Sequence, residues 1–167
     1  MNNAIPILAI RFLILFGVQI FIFNNVSILG YINPFVYILF ILLFPLRTNQ
    51  EQFLIISFLI GLVLDLFMDT GGIHATACVT VAFLRPTFLK IIFGVAYDYM
   101  SIKFDFTDFL RKMTYVFTLI LIHNFVVIAL ERFSFSHFLL SLWFALLTSA
   151  VTFFISIILL ILFKYKT

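Results

Sequence analysis

Charge is scarce in this chain: 10% of its 167 residues are Asp, Glu, Lys or Arg, against 65% that are apolar. A soluble domain has about 25% charged and about 45–50% apolar residues. A water-soluble fold of this size has too little interior to hide so much apolar surface, so lipid must be the solvent for most of it. Cysteine is almost absent. The single Cys78 lies in an apolar run, which excludes an intramolecular disulfide, and it reads as a small packing residue. No Cys/His spacing suggests a metal site, and no G-x-S-x-G, H-E-x-x-H, P-loop or one-faced Ser/His or Cys/His arrangement is legible. No enzyme and no cofactor is expected. The net charge of +3 is modest, and the basic residues gather at helix ends without interleaved aromatics, which argues against a nucleic-acid partner. No small-residue cleavage site follows the first apolar run, so it reads as a retained helix.

What is abundant is Phe, 25 residues of it, with Ile and Leu, in runs to be measured against the roughly 20 apolar residues that a spanning helix needs. The pattern predicts an all-α, polytopic integral membrane protein of one domain and about six transmembrane helices. Their expected ranges are residues 5–23, 34–46, 52–69, 73–93, 113–130 and 138–163. The second opens on Asn33-Pro34, with proline at a favoured first position. It is short and expected to rely on its flanks or on local thinning of the bilayer. Helices three and four are joined by the tight turn Asp69-Thr70-Gly71-Gly72, and Arg85-Pro86 inside helix four predicts a kink or a break. Six spans would put Arg11, Arg47, Lys90, Lys103, Arg111, Lys112, Lys164 and Lys166 on one side and only Arg132 on the other. That asymmetry predicts cytoplasmic termini.

Polar and small residues decide which helices meet in lipid. Helix three carries Ser57, Gly61, Asp65 and Asp69 in one stripe, and helix four carries Ala75, Cys78, Ala82 and Arg85 in another. The short turn sets these stripes against each other. Counting rise along each helix leaves Asp65 and Arg85 about 6 Å apart in depth, leaning toward one another. An intramembrane Asp65–Arg85 pair is the sharper expectation. The alternatives are contact of Asp65 with helix dipoles or water near the outer face, and snorkelling of Arg85 to the cytoplasmic surface beside Pro86. Asp65, Asp69 and His74 have the residue types of a metal site, but the glycine turn between them favours Asp69 capping the turn and His74 ordering its start. His123-Asn124 falls near mid-membrane on helix five and reads as interhelical hydrogen bonding, with a proton relay or ligand contact as the alternative. Ser141, Ala145, Thr148, Thr152 and Ser156 share one face of helix six and predict packing against another helix. The loop over residues 97–112, with its aromatics and mixed charge, reads as an interfacial loop or as a docking site for a cytoplasmic protein.

One segment is more specific. Asn33-Pro34 opens a short apolar helix that closes on Pro45-Leu46-Arg47. Then come Gly61-Leu62-Val63-Leu64-Asp65 and Gly72-Ile73-His74-Ala75. This series resembles the MreD family of bacterial rod-shape proteins, by motif over about a third of the chain and by layout over all of it. The resemblance implies the six-helix fold of the substrate-binding component of energy-coupling transporters. It also implies a non-enzymatic scaffold of the elongation machinery in the bacterial cytoplasmic membrane. Its partners would be an MreC-like protein, MreB-like filaments, and a RodA-like glycosyltransferase with its transpeptidase, in contact with membrane lipid. Gly61, Asp65, His74 and Ala75 would be the motif positions. The same fold implies a rival, a small-molecule (vitamin-like) binding subunit of a transporter. For that role Gln19, Asp65, Asp69, His74 and Glu131 are the outer polar groups on offer. An intramembrane hydrolase, or a channel or proton-coupled carrier through His123 and Arg85, is more distant.

Overall fold

A computed structural model describes residues 4–28, 30, 32–46, 48–94, 109–132 and 138–164. The described residues form six α-helices: α1 (Ala4–Val18), α2 (Ile38–Leu43), α3 (Gln50–Met68), α4 (Ile73–Phe93), α5 (Phe109–Arg132) and α6 (Phe138–Lys164). Four of them, α3, α4, α5 and α6 over Leu139–Leu162, are long and apolar enough to cross a membrane. The first helix runs on from α1 into a π-helical turn, Gln19–Phe23. Most of the loop over 97–112 lies outside the described residues, as do Arg47, Lys103 and Lys166.

The layout follows from small residues and short turns. Asn49 caps α3, its side chain accepting from the Glu51 N–H at 3.3 Å. The α3–α4 turn needs three left-handed residues, Asp69 (φ 55°), Gly71 (φ 59°) and Gly72 (φ 101°), and glycine takes that conformation without a Cβ penalty. Gly61 then lets the two helices meet at backbone distance. A Cβ built there would overlap Ala75 Cα and lie 2.6 Å from the Ala75 nitrogen and the His74 carbonyl oxygen. The expected stripes are buried: Ser57, Gly61 and Asp65 on α3, and Ala75, Cys78, Ala82 and Arg85 on α4. Helices α3, α4, α5 and α6 pack in chain order, each against the next, while α2 lies on α4 and α5 and against α1. The predicted face of α6, Ser141, Ala145, Thr148, Thr152 and Ser156, is buried, with Ser149 beside it. The outward faces are largely apolar, with Leu13, Leu59, Leu66, Phe83, Trp143 and Phe154 exposed, and the exposed charges Glu51, Lys90, Arg111, Glu131 and Arg132 lie near helix ends. Such a surface is a liability in water and a match for hydrocarbon.

Two expectations need correction. The second helix was expected over residues 34–46, yet α2 has only six residues, about 9 Å of rise. It cannot span a core of about 30 Å by itself. It is instead the centre of the fold: Val36, Tyr37, Ile38, Leu39, Ile41 and Leu42 have no exposed surface, as a helix apolar on all sides requires. The helix-breaking reading of Pro86 also fails, because α4 is continuous through it. Proline supplies no N–H, so the carbonyl four residues back, that of Ala82, loses its helical partner. The Gln50 side chain donates to that carbonyl at 3.0 Å, and the helix carries on.

Candidate functional site

The polar residues of the interior form two layers, one at each end of α2, named outer and inner by the orientation that the Lys and Arg asymmetry predicts. The outer layer starts at Asp65. Its carboxylate accepts from the Thr70 hydroxyl and from the backbone N–H groups of His74 and Ala75, both at 2.9 Å. These N–H groups belong to the first turn of α4, which has no intrahelical acceptor for them. Asp65 is therefore a cap supplied by the neighbouring helix, with its negative charge at the positive end of the α4 dipole. Asp69 caps the turn as expected, at the C-terminus of α3, its backbone N–H donating to the Asp65 carbonyl. It is exposed and contributes the left-handed residue that ends α3.

Next to the cap, the His74 side chain turns inward. Its Nδ1 lies 2.8 Å from the Tyr37 hydroxyl, which lies 2.7 Å from His123 Nε2. His123 Nδ1 is 3.1 Å from Asn124 Oδ1. The Asn124 amide nitrogen donates to Ser149 Oγ at 3.1 Å and Thr152 Oγ1 at 3.5 Å. With that amide orientation the proton positions follow from one another. Asn124 Oδ1 accepts, so Nδ1 of His123 carries its proton and Nε2 accepts from Tyr37. The Tyr37 oxygen then accepts from His74 Nδ1–H, which leaves His74 Nε2 as an acceptor. That atom is buried and has no partner among the described residues. The chain runs one way across three helices and through the α2 lead-in. Its histidines bond to Tyr37 and Asn124, neither of which is a hydrolytic nucleophile.

The same layer secures the segment before α2. Gln19, in the π-helical turn, donates to the Pro34 carbonyl at 3.2 Å and accepts from the Val36 N–H at 2.8 Å. The Phe35 N–H donates to Thr152 Oγ1 at 3.3 Å. Non-helical backbone survives at membrane depth only where protein satisfies it, and here the π-helical turn and α6 do so.

The inner layer secures the other end of α2. Arg85, 4% exposed, donates from Nη2 to the Leu42 carbonyl at 3.3 Å and to the Phe44 carbonyl, and from Nε to the Tyr115 hydroxyl at 3.1 Å. Tyr115 in turn donates to the Leu42 carbonyl at 3.2 Å. The guanidinium also lies over the Phe53 ring, 4.8 Å from its centroid. Arg85 is thus a C-terminal cap for α2, placed where a helix dipole favours a cation.

The expected Asp65–Arg85 pair is absent. The hairpin register explains it: Asp65 is level with His74 and Ala75, whereas Arg85 is level with Phe53, about 15 Å further along α4. Each charge reaches a helix terminus before it can reach the other, and for Asp65 this is the helix-dipole alternative read from the sequence. Gly61, Asp65, His74 and Ala75 are brought together, and His123 and Asn124 join them through Tyr37. Asp69 and Arg85 stand apart. Tyr37 and Tyr115 were missed; Tyr37 is the lone hydroxyl of its apolar run, whereas Tyr115, beside Thr114 and Thr118, carries no such mark.

Among the described residues no three His, Cys, Asp or Glu side chains are grouped to hold a metal ion. Near the outer end of α5, a small cleft of about 50 Å³ is lined by Asn33, Phe35, Ile128, Glu131, Arg132, Phe144 and Thr148. The Arg132 guanidinium sits 4.2 Å from the Phe144 ring centroid. No family model, curated protein or solved structure matches the chain.

Proposed function

We propose that this chain is a non-enzymatic scaffold of bacterial cell elongation. It would cross the cytoplasmic membrane six times, with both termini inside. It would join an MreC-like protein, MreB-like filaments, and a RodA-like glycosyltransferase with its transpeptidase. The observation that carries the reading is how the motif residues are spent. Gly61, Asp65, the His74 backbone and Ala75 all serve to close the α3–α4 hairpin, and none is left to act on a substrate. A rigid hairpin with apolar outer faces at Leu59, Leu62 and Leu66 is what a bitopic partner helix can pack against. Crosslinking mass spectrometry on tagged protein, gently extracted from its native membrane, tests the proposal. Recovery of an MreC-like protein with cell-wall synthases, crosslinked to α3 or α4, is the expected result. Recovery of none of them, from membranes that contain them, would sink it.

The outer cleft favours a second reading, a small-molecule binding subunit of a transporter. Of the polar groups expected to serve it, Gln19, Asp65 and His74 are committed to internal bonds, and Glu131 alone lines the cleft. Co-purification with ATPase subunits and a bound metabolite would shift the assignment to this reading.

A further inference from the structure

One acceptor of the outer layer is left over. Among the described residues, the buried side-chain atoms without a hydrogen bond are Ser57 Oγ, Ser156 Oγ and His74 Nε2. Only the last is a base, and imidazole is the side chain that takes up a proton nearest neutral pH. His74 lies in the first turn of α4, three residues from exposed Gly71, so a proton from the outer surface has little protein to cross. The bonds of the chain decide how many protons it holds. With one proton added to Nε2, His74 can keep the charge. It can also pass its Nδ1 proton to the Tyr37 oxygen while Tyr37 passes its own to His123 Nε2, across 2.8 Å and 2.7 Å. The charge then rests on His123, whose two N–H groups donate to Asn124 and Tyr37. Neither form loses a bond. A second proton has no such place: with both rings charged, the Tyr37 oxygen would face two N–H donors and its own hydroxyl would lose its acceptor in the chain.

We propose that His74, Tyr37 and His123 form a one-proton switch that answers to acid on the outer side of the membrane. The titratable groups within electrostatic reach of the three are Asp65 from α3, Cys78 from α4 and Glu131 from α5. Helix α6 brings only Ser149 and Thr152 to the chain, and the π-helical turn brings Gln19 to the α2 lead-in. Two of these groups are carboxylates, which offset one added positive charge. In both protonated forms His74 Nε2 carries an N–H that no described residue accepts, so the ring must shift. The His74 backbone N–H is bonded to Asp65, and acid therefore loosens the outer end of the α3–α4 hairpin. The switch does not rest on the scaffold reading.

The test is NMR of the full chain in detergent with nitrogen-15 label, from about pH 8 to about pH 4, the range in which histidine titrates. In wild type, His74 and His123 should titrate together at one midpoint and gain one proton between them. The amide signals of His74 and Ala75, both bonded to Asp65, should shift over the same range. Tyr37→Phe cuts the link, so its two rings should titrate separately and gain two protons. In His74→Gln, where no proton can enter at this position, the amides of residue 74 and Ala75 should stay in place. Two separate midpoints in wild type, or a shared midpoint in Tyr37→Phe, would overturn the proposal. So would rings that stay neutral until the helices unfold, or amides that stay fixed while the rings charge. The wild-type count of one proton decides the matter even if Tyr37→Phe fails to fold.

Discussion

The two polar layers at the ends of α2 solve the same problem in opposite ways. Each must satisfy the end of a helix inside a medium that offers no water. The outer layer uses a carboxylate on the N-terminus of α4, then a neutral chain through His74, Tyr37, His123 and Asn124 that consumes nearly every donor and acceptor. The inner layer uses a cation on the C-terminus of α2, where Arg85 donates to the Leu42 and Phe44 carbonyls and to the Tyr115 hydroxyl. The layers are kept about 15 Å apart by the register of the hairpin, so neither charge neutralises the other.

The comparison breaks most sharply at Asp65. Asp65→Ala removes the acceptor of two buried N–H groups and of Thr70, and should destabilise the protein by about 3 kcal/mol, read as lowered unfolding temperature in detergent. Arg85→Ala should cost less, because Tyr115 continues to donate to the Leu42 carbonyl. Equal losses would show that the layers are one cooperative unit. Gly61→Ala comes next. Its methyl must displace the Ala75 backbone, at about 1–3 kcal/mol, and crosslinking between cysteines placed across α3 and α4 should report the helices moving apart.

Tyr37→Phe is a subtler probe. It strips the hydroxyl from between the two histidines, and since hydrogen bonds between membrane helices average about 0.6 kcal/mol and reach about 1.7, a loss near the upper value is expected. The smallest effect should be at Gln50→Leu, about 0.6 kcal/mol, because one carbonyl loses one donor. It should vanish in a Pro86→Ala background, where the backbone N–H returns to Ala82. A double-mutant cycle measures that coupling directly, and additive losses would refute the link between Gln50 and Pro86.

Much of this was legible beforehand for a simple reason. Long apolar runs announce helices in lipid, and the stripe through Ser57, Gly61 and Asp65 and the face through Ser141 to Ser156 announce which sides meet. Helix α2 was misread because an apolar run of about a dozen residues looks the same whether it is all helix or a short helix with extended ends. Its true limits depend on Gln19, Thr152, Arg85 and Tyr115, which lie on four other segments. The Asp65–Arg85 pairing failed because counting rise put the two about 6 Å apart in depth, whereas the register of the hairpin separates them by about 15 Å, and backbone termini, which no side-chain pattern displays, lay closer to each.

Sequence alone therefore determined the solvent, the helical class and the faces that pack, since these depend on composition and on a period of 3.6 residues. Tertiary structure decided what each polar residue is for. Hydrogen bonds reach only about 3 Å, so the partner of Asp65, Arg85 or Tyr37 is settled by helix register and by where a neighbouring backbone ends, and both exist only once the chain has packed.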